Sequence, residues 1–285
     1  MLGLTGSIPS IVNSLRAQRA YRSATQRRNQ SLTQLATGLR INRAADDPAG
    51  LIASEQLGQT LAALDAETSA NQRASDQATT ADGALGQVSD LLDHAKSLVT
   101  ANANSAGLSQ EEKSANQIEI DSILSAVDRL STSTAFGGRK LLDGSATLSA
   151  SGKSLPIESS AAAHLGKTDA AGTTYTLADL KSGKSLSTAG NNATTASDVI
   201  DKAVNDVATQ RATIGAFDKY TLQTRISSVA VSREQLLSAV SLIRDTDYAL
   251  AAAQQSQARL LQQSSLATLV QSLGRPRIGM LSIWA

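Results

Sequence analysis

Ala78, Ala81, Leu85, Val88, Leu92, Ala95 and Val99 follow one another at alternating steps of three and four residues. That spacing keeps all seven on one face of an α-helix. The pattern predicts one helix from about residue 47 to 102. At a rise of 1.5 Å per residue such a helix is roughly 80 Å long, far longer than a compact domain needs. A second stripe runs through Ile200, Val207 and Ile214, then Leu222, Val229, Leu236 and Ile243. Its intervals are all seven, apart from an eight between Ile214 and Leu222. Each seven drifts about 20° around a straight helix, and the eight resets that drift. The stripe therefore predicts a second long helix, suited to packing on the first.

The ends of the chain carry shorter stripes. Ile8, Ile11 and Leu15 share a helical face, as do Leu32, Leu35 and Leu39. Between them Tyr21 is the single large apolar residue. Helices in water depend on burying a face, so the first forty or so residues are expected to be largely disordered in an isolated monomer. Leu266, Leu269, Val270 and Leu273 form a last helical stripe, which Gly274 and Pro276 are expected to stop. The chain then closes on "RIGMLSIWA", where Met280, Leu281, Ile283 and Trp284 cluster.

Two interruptions divide these helices. Gly38 permits a helix to end, and "GLRINRAADD" follows it. Asp47-Pro48 then reads as a helix start: Asp accepts from free backbone N–H groups, and Pro lacks the donor the first turn cannot use. "RDTD" at 244–247 mirrors this break on the return. "NANSAG" ends the first long helix near 102–107, and Ser109 with Glu112 forms a capping box. Ile120, Ile123, Val127 and Leu130 mark a shorter helix ending before "FGGRKLLDG". From 143 to 196 Gly, Ser, Thr and Ala dominate and periodicity fades, with at best a short strand in "TTYTLADL".

The fold class expected is mainly α: a folded-back rod of long packed helices, with paired terminal helices and a small β/loop insert at its tip. Three parts are anticipated. Residues 1–45 with 248–285 make a terminal helical domain, 46–142 with 197–247 make a long-helix rod, and 143–196 make a small exposed insert.

Composition narrows the function. Aromatics are 2% of 285 residues, too few for the thick cores that large rings fill. There is no cysteine, which excludes disulfides and thiol chemistry. No apolar run of about 18 residues suggests a membrane span, and the first residues lack the basic and long apolar regions of a secretory signal. Net charge is +1, yet residues 1–45 hold seven Arg and no acid, and 249–285 hold three Arg and no acid. The middle therefore carries −9. An Arg-rich, acid-free start also fits a transit peptide or a nucleic-acid patch. The first does not explain the matching C-terminal segment, and the second lacks a recognisable module. No nucleic-acid partner and no membrane insertion are expected.

Catalytic chemistry finds little support. His94 lies near the apolar stripe of a long helix and His164 lies in the insert; neither has a placeable serine partner. Asp46, Asp47, Asp245 and Asp247 are carboxylates suited to a hard cation, but acids beside a break more simply cap helices and pair with Arg40, Arg43 or Arg244. No metal and no cofactor are expected, and no enzyme. The apolar ends say more, because exposed apolar faces mark interaction sites. A rod with two such ends makes a helical filament if its head-to-tail contacts do not close.

"LTQLATGLRINRAADDPAGLIASEQL" resembles the N-terminal signature of bacterial flagellins. The similarity continues through "TADGALGQVSDLLDHAKSLV" and "TAFGGRKLLDG", and returns in "VATQRATIGAF", "SLIRDTDYA" and "LLQQSSLATLVQS". It covers roughly 1–145 and 197–285. The resemblance implies a subunit that self-assembles into the extracellular flagellar filament for swimming, exported unfolded without a cleaved signal peptide. Its implied partners are copies of itself in a helical homopolymer, the flagellar export apparatus and an export chaperone, and the filament cap and hook-associated proteins. Terminal helices would form an inner tube and long helices an outer one.

Gly38, Arg40, Asn42, Asp46, Asp47 and Pro48 would then be the spoke between tubes, with Arg244, Asp245 and Asp247 as the returning spoke. Ile8, Ile11, Leu15, Leu32, Leu35, Leu39, Leu266, Leu269, Leu273, Met280, Leu281, Ile283 and Trp284 would meet neighbouring subunits. A hook–filament junction protein shares the terminal helices and is the nearest alternative. A coiled-coil adaptor, forming a finite oligomer, is another.

Overall fold

The computed structural model describes residues 7–103, 107–150, 152–170, 172–187 and 193–281, with side chains from 12 to 271. Among these, six α-helices dominate: α1 Ser7–Thr37, α2 Pro48–Ala103, α3 Gln110–Ser133, α4 Ala193–Phe217, α5 Thr224–Arg244 and α6 Tyr248–Leu281. Three short antiparallel pairs lie between α3 and α4. They are β1 Ala135–Phe136 with β2 Arg139–Lys140, β3 Thr147–Ala150 with β4 Lys153–Pro156, and β5 Thr168–Ala170 with β6 Thr173–Tyr175. The protein is mainly α with a small β/loop insert, as the periodicity predicts. It divides into two compact units, Met1–Ala63 with Arg233–Ala285, and Leu64–Ser232.

The unit Leu64–Ser232 holds the main core. Leu85, Val88, Leu92, Ala95 and Val99 of α2 meet Ile120, Leu124 and Val127 of α3 and Val199, Ile200, Val207 and Ile214 of α4, all buried. Among the described residues the insert joins this core: Leu148, Ile157, Leu165, Leu177, Leu180 and Leu186 are buried in the same cluster. Isolated leucines in loops and two-residue turns show no period, which is why sequence pattern alone missed them.

Polar side chains tie the insert down. Asp128 accepts from the Ala162 N–H at 2.9 Å and from Lys181 Nζ at 2.8 Å. Asp121 accepts from the Ser182 N–H at 2.9 Å, and Asp206 from the Gly166 N–H at 3.1 Å. The capping box of α3 is present: the Glu112 N–H donates to Ser109 Oγ at 3.2 Å, and the Ser109 N–H donates to Glu112 Oε2 at 2.7 Å. Two arginines clip α2 to the returning helices. Arg211 donates to Asp82 at 2.9 Å, and Arg225 donates to both oxygens of Glu67 at 2.6 and 3.0 Å. Hydrogen bonding to those carboxylates raises the pKa of each guanidinium above its ordinary value.

Three expectations change. α6 runs on through Gly274 and Pro276 to Leu281, where a stop was expected. The interval of eight between Ile214 and Leu222 is absorbed by a π-helical turn, Asp218–Gln223, where a straight helix was expected. The extra residue sits in that one wider turn, so Leu222 and Val229 stay buried on the same stripe as Ile214. For Ser7–Thr37 the expected disorder also gives way to helix. α1 is continuous from Ser7 to Thr37 and packs antiparallel along α6.

Small residues explain that close approach. The buried positions among the described residues of α1 are Ala17, Ala24 and Ser31, and those of α6 are Ala251, Ala258 and Ser265. Both sets recur every seven residues. A seam without large side chains brings two backbones together, so dispersion contacts between them replace a leucine core.

Candidate assembly site

Two breaks face one another in the unit Met1–Ala63 with Arg233–Ala285. α1 ends at Gly38, whose φ of +73° suits glycine and whose N–H donates to the Gln34 carbonyl at 2.8 Å. Leu39 and Asp245 then form an isolated antiparallel bridge. It is flanked by Arg40 N–H to the Arg244 carbonyl at 2.7 Å and Thr246 N–H to the Gly38 carbonyl at 2.9 Å. The two interruptions therefore satisfy each other's backbone groups, which a chain leaving a helix must do somewhere.

Side chains fix the turn. Asp46 Oδ2 accepts from the N–H groups of Asn42 and Arg43, each at 3.0 Å, and Asn42 Nδ2 donates to the Leu39 carbonyl at 2.7 Å. Asp47 Oδ1 accepts from the Gly50 N–H at 2.9 Å, which caps α2, and Pro48 opens that helix. Asp247 repeats the role at the start of α6, accepting from the Leu250 N–H at 3.0 Å. Arg40 Nη2 donates to the Ile243 carbonyl at 2.5 Å and lies 3.6 Å from Asp47. Arg244 lies 3.6 Å from Glu55, and Asp245 accepts from Ser241 Oγ at 2.5 Å. Gly38, Arg40, Asn42, Asp46, Asp47, Arg244 and Asp245 thus bond within or across the two breaks, while Pro48 and Asp247 stand at the starts of α2 and α6. Ile41, buried beside them, was not singled out.

The terminal pair α1–α6 is closed along one edge. Arg28 Nη1 donates to Gln262 Oε1 at 2.7 Å, and Gln262 Nε2 donates to Thr25 Oγ1 at 3.1 Å and Tyr21 Oη at 3.4 Å. The other edge is a groove of about 630 Å³, bordered by Arg16, Arg27, Leu261 and Thr268 over a floor of Ala17 and Ala24.

The apolar residues read as contacts sit away from the seam. Leu15, Leu32 and Leu266 are exposed, with 48%, 39% and 50% of their surface open to solvent, while Leu35, Leu39 and Leu269 are half-buried. The side chains of Ile8, Ile11, Leu273, Met280 and Leu281, and residues Ile283 and Trp284, lie outside the described residues. Exposed Leu250, Leu260 and Val270 add to this surface and were not singled out. The Ala/Ser repeat was the signal that could have found the seam.

A pair of helices joined through small residues leaves Leu15, Leu32 and Leu266 exposed on its outer faces, and exposed apolar surface marks interaction sites. The class defined is a helical self-assembling structural subunit. The N-terminal helical region of bacterial flagellin matches residues 8–147, and the C-terminal helical region matches residues 197–273. The flagellin of Bacillus subtilis is 30% identical over 93% of this chain and 95% of its own length. That of Halalkalibacterium halodurans is 29% identical over 94% and 97%. The flagellar filament 30.7 kDa core protein of Treponema maltophilum is 29% identical over 85% and 87%.

The chain belongs to the bacterial flagellins. It is a structural subunit that self-assembles into the extracellular filament of the bacterial flagellum, not an enzyme. Among the described residues no helix is long and apolar enough to cross a membrane.

Proposed function

We propose that the two breaks are the crossings between concentric layers of that filament. Residues 1–45 with 248–285 form the inner layer, 46–142 with 197–247 form the outer layer, and 143–196 face outward. The observation that carries this is the bridge between Leu39 and Asp245, which pairs the outgoing and returning segments at the same level. A continuous helix has no means of stepping between layers. Two helices interrupted together, with backbone hydrogen bonds from Arg40 to Arg244 and from Thr246 to Gly38 joining the breaks, can do so as a unit.

The exposed residues Leu15, Leu32 and Leu266 supply contacts between subunits of the inner layer, joined by the half-buried Leu35, Leu39 and Leu269 and by Ile8, Ile11, Leu273, Met280, Leu281, Ile283 and Trp284. The subunit reaches the growing end through the flagellar export apparatus with a chaperone, and meets the hook-associated proteins and the filament cap there. What supports these partners is membership of the family.

The test is electron microscopy of purified chain after ammonium sulfate and short filament seeds are added. Such salt strengthens burial of the apolar ends. The full chain is expected to give long filaments, and a chain truncated before Leu250 to stay soluble. Gly38→Ala with Pro48→Ala is expected to disrupt filament formation. Normal filaments from that double variant would remove the breaks from the layer crossing.

A further inference from the structure

Among the described residues three buried side-chain atoms have no hydrogen-bond partner: Arg244 Nε and Thr246 Oγ1 at the breaks, and Asn71 Nδ2 on α2. Asn71 is the most enclosed of the three, with 2% of its surface exposed. A buried amide left unbonded is costly, and folded proteins keep few without a reason. An apolar side chain of similar shape would remove that cost. Asn71 is therefore explained by an acceptor that the folded chain does not itself supply.

There is room for one. Ala150 of the β3–β4 hairpin packs with Ala74 and Leu222. Beside that contact a cavity of about 300 Å³ remains between the hairpin and α2, lined by Glu67, Asn71, Ser149, Lys153 and Ser154. It is several times the space of one water, about 30 Å³. The charges of its wall select what enters. Both oxygens of Glu67 already accept from Arg225, at 2.6 and 3.0 Å. The Lys153 ammonium is exposed, and no ion pair among the described residues engages it. The wall thus offers N–H and hydroxyl donors beside one uncommitted cation, a set that suits a carboxylate.

We propose that this cavity binds a small monocarboxylate, whose oxygens accept from Asn71 Nδ2 and Lys153 Nζ and tie the β3–β4 hairpin to α2. The site lies within the unit Leu64–Ser232 and is complete in one copy of the chain. Because the ligand is held only while the hairpin is docked, its binding stabilises the docked form as occupancy rises.

The experiment is a titration of the monomeric full chain with sodium acetate, against sodium chloride at matched ionic strength. It is followed by two-dimensional NMR at the Asn71 side-chain amide and the Ser149, Lys153 and Ser154 backbone amides. Acetate is expected to shift these signals saturably, with half-saturation on the order of 1 mM. Acetamide has the acceptor without the charge and is expected to need about tenfold more. Lys153→Gln is expected to raise the acetate half-saturation about tenfold while unfolding at the wild-type temperature. Asn71→Leu removes the unbonded amide, so it is expected to unfold no lower than wild type and to lose the saturable shifts at the three hairpin amides. Absence of saturable shifts in wild type, or their survival in Asn71→Leu, would overturn the proposal. So would a lower unfolding temperature for Asn71→Leu, which would mean that a bound water already satisfies the amide. Equal binding of acetamide and acetate would overturn the carboxylate as the ligand.

Discussion

A Cβ placed on Gly38 would lie 2.7 Å from Tyr248 Oη, and the same glycine holds φ at +73°. The main cost of a substitution here is the left-handed backbone, which an L side chain resists; the short contact is with the outer end of the exposed Tyr248, which can shift at a smaller cost. Gly38→Ala is expected to destabilise the unit Met1–Ala63 with Arg233–Ala285 by about 1–3 kcal/mol. Adding Tyr248→Ala should recover the steric part and leave the backbone part, which thermal unfolding of the two single variants and the double variant would separate.

The Ala/Ser seam makes a second prediction. Ala24→Leu or Ala258→Leu puts a large side chain where two helices meet through small residues. Overpacking of this kind costs about 1–3 kcal/mol, and here it should separate α1 from α6. Circular dichroism is expected to show loss of helix in a first, low-temperature step, while the core of Leu64–Ser232 melts as in wild type.

The start of α3 should respond to pH. The Ser109 N–H, and then its hydroxyl, bind the Glu112 carboxylate and hold its pKa below the ordinary value. A carboxyl lowered in the folded state adds stability above its unfolded pKa and loses it as pH falls through the folded value. The protection of the Glu112 and Lys113 amides against exchange, taken relative to the intrinsic rate at each pH, should fall on acidification through that range. Glu112→Gln should remove the pH dependence, and Ser109→Ala should weaken the cap by about 1 kcal/mol at neutral pH.

The insert has its own sensitive point. Gly166 holds φ at +70°, and a Cβ there would lie 2.4 Å from the Val199 carbonyl of α4. Backbone cannot move aside as a flexible side chain can. Gly166→Ala is expected to cost roughly 2–3 kcal/mol and to release the insert from α4, read as faster proteolysis between residues 152 and 187.

Sequence alone determined the elements that depend on near neighbours along the chain. The long helices from α2 to α5 follow from steps of three, four and seven. The breaks at Gly38 and Asp47-Pro48 and at 244–247, and the Ser109–Glu112 box, depend on groups three or four residues apart. The family could be read from several such motifs kept in order. Only the tertiary structure decided which face of α1 and α6 is buried, because a seam of Ala and Ser is unremarkable until two backbones approach.

The same holds for the bridge of Leu39 to Asp245, the contact of Tyr248 with Gly38, and the leucines of the insert completing a helical core. These join residues far apart in sequence, and no local period records which distant partner a residue will meet. The interval of eight between Ile214 and Leu222 was visible in the sequence. That a π turn, not a straight helix, absorbs it was settled by packing: Leu222 is buried against Ala74 and Ala150 from two other segments.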